Sequence, residues 1–229
     1  MDLYQYTQFT SQDAWLLLRG IGWTVLVFAV SMATGIALGA ACALARHARV
    51  PVLAQLVTGY VELFRNSPVL VQLFLVYYGL PMLAGVRLEP LTAALLTLSV
   101  NTGAFMTVII HAALDAVPAG QWEAAMASGL RYRQVMRYVV LPQAVRTTIP
   151  PTISLAVGQL QVTSLVSLIN VVDLAKVGTI LNMRTLRPFA VWPVVGLGYF
   201  ALSKPLSLLA QWAEDRLRPR NAWMRGDRN

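Results

Sequence analysis

Five stretches of the chain stay apolar long enough to cross a bilayer, which takes about 20 helical residues for ~30 Å of hydrocarbon. They are residues 20–45, 66–86, 90–114, 147–172 and 188–213. The first, second and fourth hold no charged side chain. The third holds only His111, and the fifth only Lys204, which is expected to snorkel or to face protein. The pattern predicts an all-α protein, a single integral membrane bundle of five transmembrane helices over residues 1–229, with its termini on opposite sides.

Residues 115–146 break the pattern with Asp115, Glu123, Arg131, Arg133, Arg137 and Arg146. At about 2.5–3.5 kcal/mol for each charge at bilayer centre, burying all six would cost on the order of 15 kcal/mol. This stretch is therefore an aqueous loop. Within it, residues about 118–130 read as a short helix. Pro118 suits the first turn, and Ala124, Ala125 and Ala127 have high helix propensity. Gly129 can take the left-handed conformation that ends a helix. Glu123 near the start and arginines after the end both suit the helix dipole. The alanines should leave a smooth face, too small to anchor in lipid but suited to a soluble partner.

Two further segments shape the expected bundle. Ser31, Gly35, Gly39 and Ala43 place small residues at four-residue spacing along the first span, a stripe that lets another helix approach closely. Such packing would lie inside the bundle or against a second subunit. Residues 51–65 read as a helix that enters from the inner face and breaks near Asn66-Ser67-Pro68. Glu62 and Arg65 are spaced for an i,i+3 ion pair at the interface.

Composition agrees with a membrane protein: 57% of the 229 residues are hydrophobic and 12% charged. The net charge of +8 is dispersed between apolar runs, so it reads as topology and not as a nucleic-acid surface. Cys42, the single cysteine, allows no disulfide framework or metal site. The first residues lack the basic segment of a cleavable signal. With the N-terminus outside, the inner side collects Arg46, Arg49, Arg65, Arg131, Arg133, Arg137, Arg146, Arg216, Arg218, Arg220, Arg225 and Arg228. The outer side then holds Arg19, Arg87, Lys176, Arg184 and Arg187. Twelve against five predicts a periplasmic N-terminus and a cytoplasmic C-terminus, with the 115–146 loop in the cytoplasm.

Within that loop Glu123-Ala124-Ala125 is followed by Gly129 and by Val139-Val140-Leu141-Pro142. This resembles the EAA motif of ABC-importer permeases: EAA, three residues, G, nine residues, I-x-L-P, with Val139 replacing isoleucine. The stretch YVELFRNSPVLVQLFLVYYGLP (residues 60–81) resembles YxELFRxTPLLVQLFxxYFGLP of the polar-amino-acid branch. Gly120 to Glu123, Leu141 to Arg146, Thr163 to Ser167 and Arg187 to Phe189 are similar to other segments of that branch. The likeness runs from Gly20 to Leu217.

The resemblance implies a MetI-like permease fold and an inner-membrane uptake system for polar amino acids or a close relative. It implies that Glu123, Ala124, Ala125, Gly129, Leu141 and Pro142 form a coupling segment seated on a cytoplasmic ATPase. The partners implied are two ATPase subunits, a second permease subunit (the same or homologous) and a periplasmic solute-binding protein. The chain is expected to be no enzyme, to bind no cofactor or metal, and to leave ATP and Mg to the ATPase, since it lacks a G-x-x-x-x-G-K-[ST] loop. His47, His111 and Asp115, the acid–base candidates, have no nucleophile or metal-ligand spacing.

Polar side chains within spans usually face a bundle interior or a pathway. Asn101, Thr102 and Thr107, and Gln159, Gln161, Thr163, Ser164 and Ser167, are the candidates. Asn101 and Gln161 could serve a zwitterion, whereas interhelical hydrogen bonding is the plainer alternative. The family pattern NxxAYxxEIxRG here has Val108 for glutamate and His111 for arginine, and Gln161-Val162 replaces Lys-Asp. These departures imply either a partner permease that supplies more of the substrate contacts or a solute unlike a charged amino acid. Near the inner end of its span, His111 is expected to be a hydrogen-bonded packing residue.

Overall fold

Helix α1 (Ser11–His47) runs 37 residues without a change of helix type, and its packing explains the small-residue stripe. In the computed structural model, which describes residues 9–47 and 51–217, Ser31, Gly35, Gly39 and Ala43 are all buried. The two glycines face α4 (Pro90–Asp115) of the same chain. A Cβ added at Gly35 would stand 2.5 Å from Thr102 Cβ, and one at Gly39 would collide with Met106. The stripe thus packs inside the bundle. Lipid tails are as apolar as leucine, so close backbone approach and dispersion hold the pair together.

The second expected span is not a straight helix. Helix α2 (Pro51–Arg65) and helix α3 (Val69–Ala84) meet at 105°. Pro68 cannot continue the α2 hydrogen-bond ladder, and the elbow falls on Asn66, Ser67 and Pro68 as expected. Residues 66–86 are therefore only part of a bent pair, which makes a fifth span beside four long helices when the two helices are taken together. A π-helical turn, Leu75–Gly79, lies within α3. The expected Glu62–Arg65 ion pair is absent. Glu62 instead accepts from Asn66 Nδ2 at 2.7 Å, and the Arg65 guanidinium sits 5.5 Å from the centre of the Phe105 ring.

After α4 comes a short helix, α5 (Ala119–Ala127), and then α6 (Tyr132–Ile169). Helix α6 contains a π turn at Met136–Val140 and tightens to 3-10 geometry over Thr163–Ile169. The fourth expected span, 147–172, and the helix that carries it have different bounds. Its helix starts 15 residues earlier, at Tyr132, and stops at Asn170, which is left-handed at φ 74°. Hydropathy marks where apolar residues begin, but a helix can project beyond the hydrocarbon with its arginines in water.

Helix α7 (Leu174–Thr185) was not expected. Its buried positions, Leu174, Val177, Gly178, Leu181 and Thr185, follow helical periodicity and pack on α1 and α8 (Pro188–Leu217). Asp173 caps it by accepting from the Lys176 N–H at 2.8 Å. Lys204 is exposed on α8 and so does not face this chain's own protein. No strand occurs among the described residues. Arg49, Arg218, Arg220, Arg225 and Arg228, which entered the charge count, lie outside them.

Candidate functional site

The α5 arm connects the end of α4 to the start of α6. Pro118 stands just before the first turn and not within it, and the helix closes at Gly129 with φ 84°. The Gly129 N–H donates to the Met126 carbonyl at 2.9 Å and the Leu130 N–H to the Ala125 carbonyl at 3.3 Å. These two bonds form a Schellman motif, which needs a left-handed residue at the glycine position. Around Gly129 an added Cβ would meet nothing within 4 Å, so its role is conformational and not spatial.

One side of α5 is fastened. Ala125 is buried with Leu114 of α4, with Val117 just beyond it, and with Val135, Val140 and Ala144 of α6. Trp122 stacks on Tyr132 with ring centroids 5.8 Å apart. The expected smooth face is thus divided, with Ala125 turned inward and Glu123, Ala124 and Ala127 exposed. Leu141 directly follows the π turn and packs against the inner cluster, and exposed Pro142 comes next, in the first turn of the resumed α-helix, where a missing N–H is tolerated. This packing ties α5 to both α4 and α6.

The polar candidates do not converge. Asn101 is buried, and its Nδ2 donates to the Phe64 carbonyl and to Gln72 Oε1, both at 3.1 Å. Gln72 Nε2 in turn donates to the Phe64 carbonyl at 2.9 Å, the Ser67 carbonyl at 3.1 Å and Ser67 Oγ at 2.9 Å. Two amides therefore satisfy the backbone opened by the elbow, as irregular backbone at membrane depth requires. Thr102 lies in the α1–α4 seam with its Oγ1 buried and unpartnered. Thr107 donates to the Gly103 carbonyl at 2.7 Å.

The remaining candidates are spread along the bundle. Val108 is half-buried, and His111 Nδ1 lies 2.8 Å from Asp115 Oδ2, one helical turn on. Gln159 reaches Ser31 Oγ across helices at 3.4 Å. Thr163 is buried and Ser164 half-buried, donating to the Leu160 and Gln161 carbonyls at 2.6 and 2.8 Å. Gln161 is exposed on the surface of this single chain. Two clefts of about 420 and 390 Å³ are lined by none of the seven pathway residues: Asn101, Thr102, Val108, His111, Gln161, Thr163 and Ser164.

Sequence reading did not assign a role to Gln72, whose Nε2 is held by the elbow 5 and 8 residues before it and whose Oε1 accepts from Asn101, 29 residues away. It also missed the tie between Asp13 of α1 and Arg184 of α7. A third buried network joins Asp173 Oδ2 to the Tyr199 hydroxyl at 2.8 Å and the Leu174 N–H to Thr24 Oγ1 at 3.1 Å. The cue for α7 was present, an aspartate before apolar residues at helical spacing, but the segment is too short and too polar to register as a span.

A model of the family described as binding-protein-dependent transport system inner membrane component matches residues 35–221. The chain belongs to this family. This permease is 35% identical over 202 residues to the probable glutamine ABC transporter permease protein GlnM of Bacillus subtilis (strain 168), covering 88% of this chain and 93% of that one. The probable amino-acid ABC transporter permease protein YckA of the same organism is 34% identical, with 81% and 82% covered. The permease also superposes on a crystal structure of an amino acid ABC transporter with histidines. There the TM-score is 0.84 and the identity 29%, covering 94% of this chain and 99% of that one. The fold is therefore the MetI-like permease fold in a multi-pass inner-membrane protein, as the EAA spacing implied.

Proposed function

We propose that this permease is the membrane subunit of an ATP-driven importer for a polar amino acid, working by alternating access as one domain of a permease dimer. The observation that carries the reading is the α5 arm. It is locked on one side by Ala125 and Trp122, open on the other at Glu123, Ala124 and Ala127, and joined by short turns to both α4 and α6. In this reading α5 lies in the cytoplasm and receives an ATPase subunit, so that the N-terminus is periplasmic and the C-terminus cytoplasmic. Two ATPases, a second permease and a periplasmic solute-binding protein complete the assembly, and ATP and Mg act in the ATPase. Closure of the ATPases moves the two α5 arms and favours the outward-open state, and hydrolysis restores the inward-facing one. A loaded binding protein must then shift the ATPase equilibrium in return.

The names of the relatives support an amino acid as cargo. Exposed Gln161 supports a second subunit, because a carboxamide in lipid would be costly unless protein or a water-lined pathway covers it. A second reading, another small polar solute such as an opine-like compound, is favoured by the neutral Val108 and Gln161-Val162 positions and by the pairing of His111 with Asp115. The test is Glu123→Arg in the assembled transporter. The expected result is loss of uptake and of ATPase co-purification while the permease still inserts. Undiminished uptake would defeat the coupling role. Thermal-shift screening of the cognate binding protein against amino acids and opines separates the two cargo readings.

A further inference from the structure

We propose that a cleft between α1, the start of α4 and α7 binds the headgroup and upper acyl chain of an ethanolamine phospholipid. The cleft encloses about 420 Å³, and its walls include Leu16, Trp23, Leu91, Val172 and Val177. Two charges line it, Arg19 from α1 and Glu89, the residue before α4. Both are exposed, and neither belongs to an ion pair among the described residues. A cation and an anion thus stand on one apolar cleft without neutralising each other.

Their level in the membrane identifies the ligand. Arg19 immediately precedes the uncharged run 20–45, and Glu89 immediately precedes the run 90–114. Both charges therefore lie where hydrocarbon begins, with Trp23 one turn inside, at the depth where aromatic side chains gather. A lipid phosphate can accept from the Arg19 guanidinium, and a primary ammonium can donate to the Glu89 carboxylate. A chain then descends along the apolar wall. A free amino acid carries the same two charges, but exposed pairs contribute only about 0.2–1 kcal/mol each. That is too weak to hold a dilute solute. It suffices for a lipid, which surrounds the protein as solvent and fills a weak site by mass action.

The full-length permease, purified with whatever ATPase subunits accompany it, is tested by native mass spectrometry. It is first equilibrated in equal amounts of phosphatidylethanolamine, phosphatidylglycerol and phosphatidylcholine. Ethanolamine lipid should be retained in preference to the other two, because choline has no N–H and glycerol no cation. Arg19→Gln and Glu89→Gln should each reduce that retention by roughly threefold, the scale of one exposed ion pair. The reversed pair, Arg19→Glu with Glu89→Arg, should restore it. Equal retention of all three lipids would overturn the proposal, as would sensitivity to Arg19→Gln alone or failure of the reversed pair at an unchanged melting temperature. So would binding of free glutamine that the same variants abolish while lipid retention stays constant.

Discussion

The α1–α4 seam and the α5 arm are both built from glycine and alanine, yet small residues do opposite things in them. At the seam, Gly35 and Gly39 admit the backbone of α4, and any added carbon meets Thr102 or Met106. At the arm, Gly129 has open space around it and is required only for its left-handed backbone. Ala43 and Ala125 are buried, whereas Ala124 and Ala127 look outward. Smallness directed inward removes a gap between helices. Smallness directed outward leaves a surface for something else, so residue type alone does not separate packing from contact.

The contrast can be broken at either end. Gly39→Leu should cost the most, about 3 kcal/mol or more from forced separation of α1 and α4, read as a lowered melting temperature of the solubilised protein. Asn101→Leu comes next. It removes two hydrogen bonds at the elbow and should destabilise by about 2 kcal/mol, with spin labels on α2 and α3 reporting a broader distribution around the 105° bend. Gly129→Val should cost about 1–2 kcal/mol of left-handed strain, confined to the arm. It should nevertheless abolish ATPase co-purification, whereas Gly129→Asn, which tolerates that conformation, should keep most of it. A melting-temperature loss at Gly129 as large as that at Gly39 would erase the distinction.

Two smaller effects sharpen it. Asp173, in the connection before α7, has its carboxyl pushed above the usual range by burial, against hydrogen bonds from the Lys176 N–H and the Tyr199 hydroxyl. A raised folded-state pKa means the folded protein holds its proton more tightly than the unfolded chain. Stability from this group is therefore full below the unfolded value of 3.8 and is lost as pH rises through the raised value. Asp173→Asn, which also caps helices, should flatten the melting temperature against pH over that range. Thr102→Val should be the mildest change, neutral or stabilising by up to about 1 kcal/mol, because the hydroxyl it removes is buried and unpartnered.

The readable part was that which depends on chain-local physics. Uncharged runs of sufficient length announced the spans, six charges announced the loop, and Pro118, the alanines and Gly129 announced the short helix within it. The elbow at Pro68 was legible for the same reason, since a missing N–H is a property of one residue. The bend angle, the inward turn of Ala125 and the partners of Asn101 were not. Each depends on which distant segment arrives alongside: Gln72 for Asn101, α6 for Ala125 and α4 for the glycine stripe. Sequence by itself determined that this chain is an all-helical membrane protein with an EAA arm. Only the tertiary structure decided which polar groups are consumed in holding it together, because a hydrogen bond in the membrane interior goes to whichever unsatisfied backbone lies within reach.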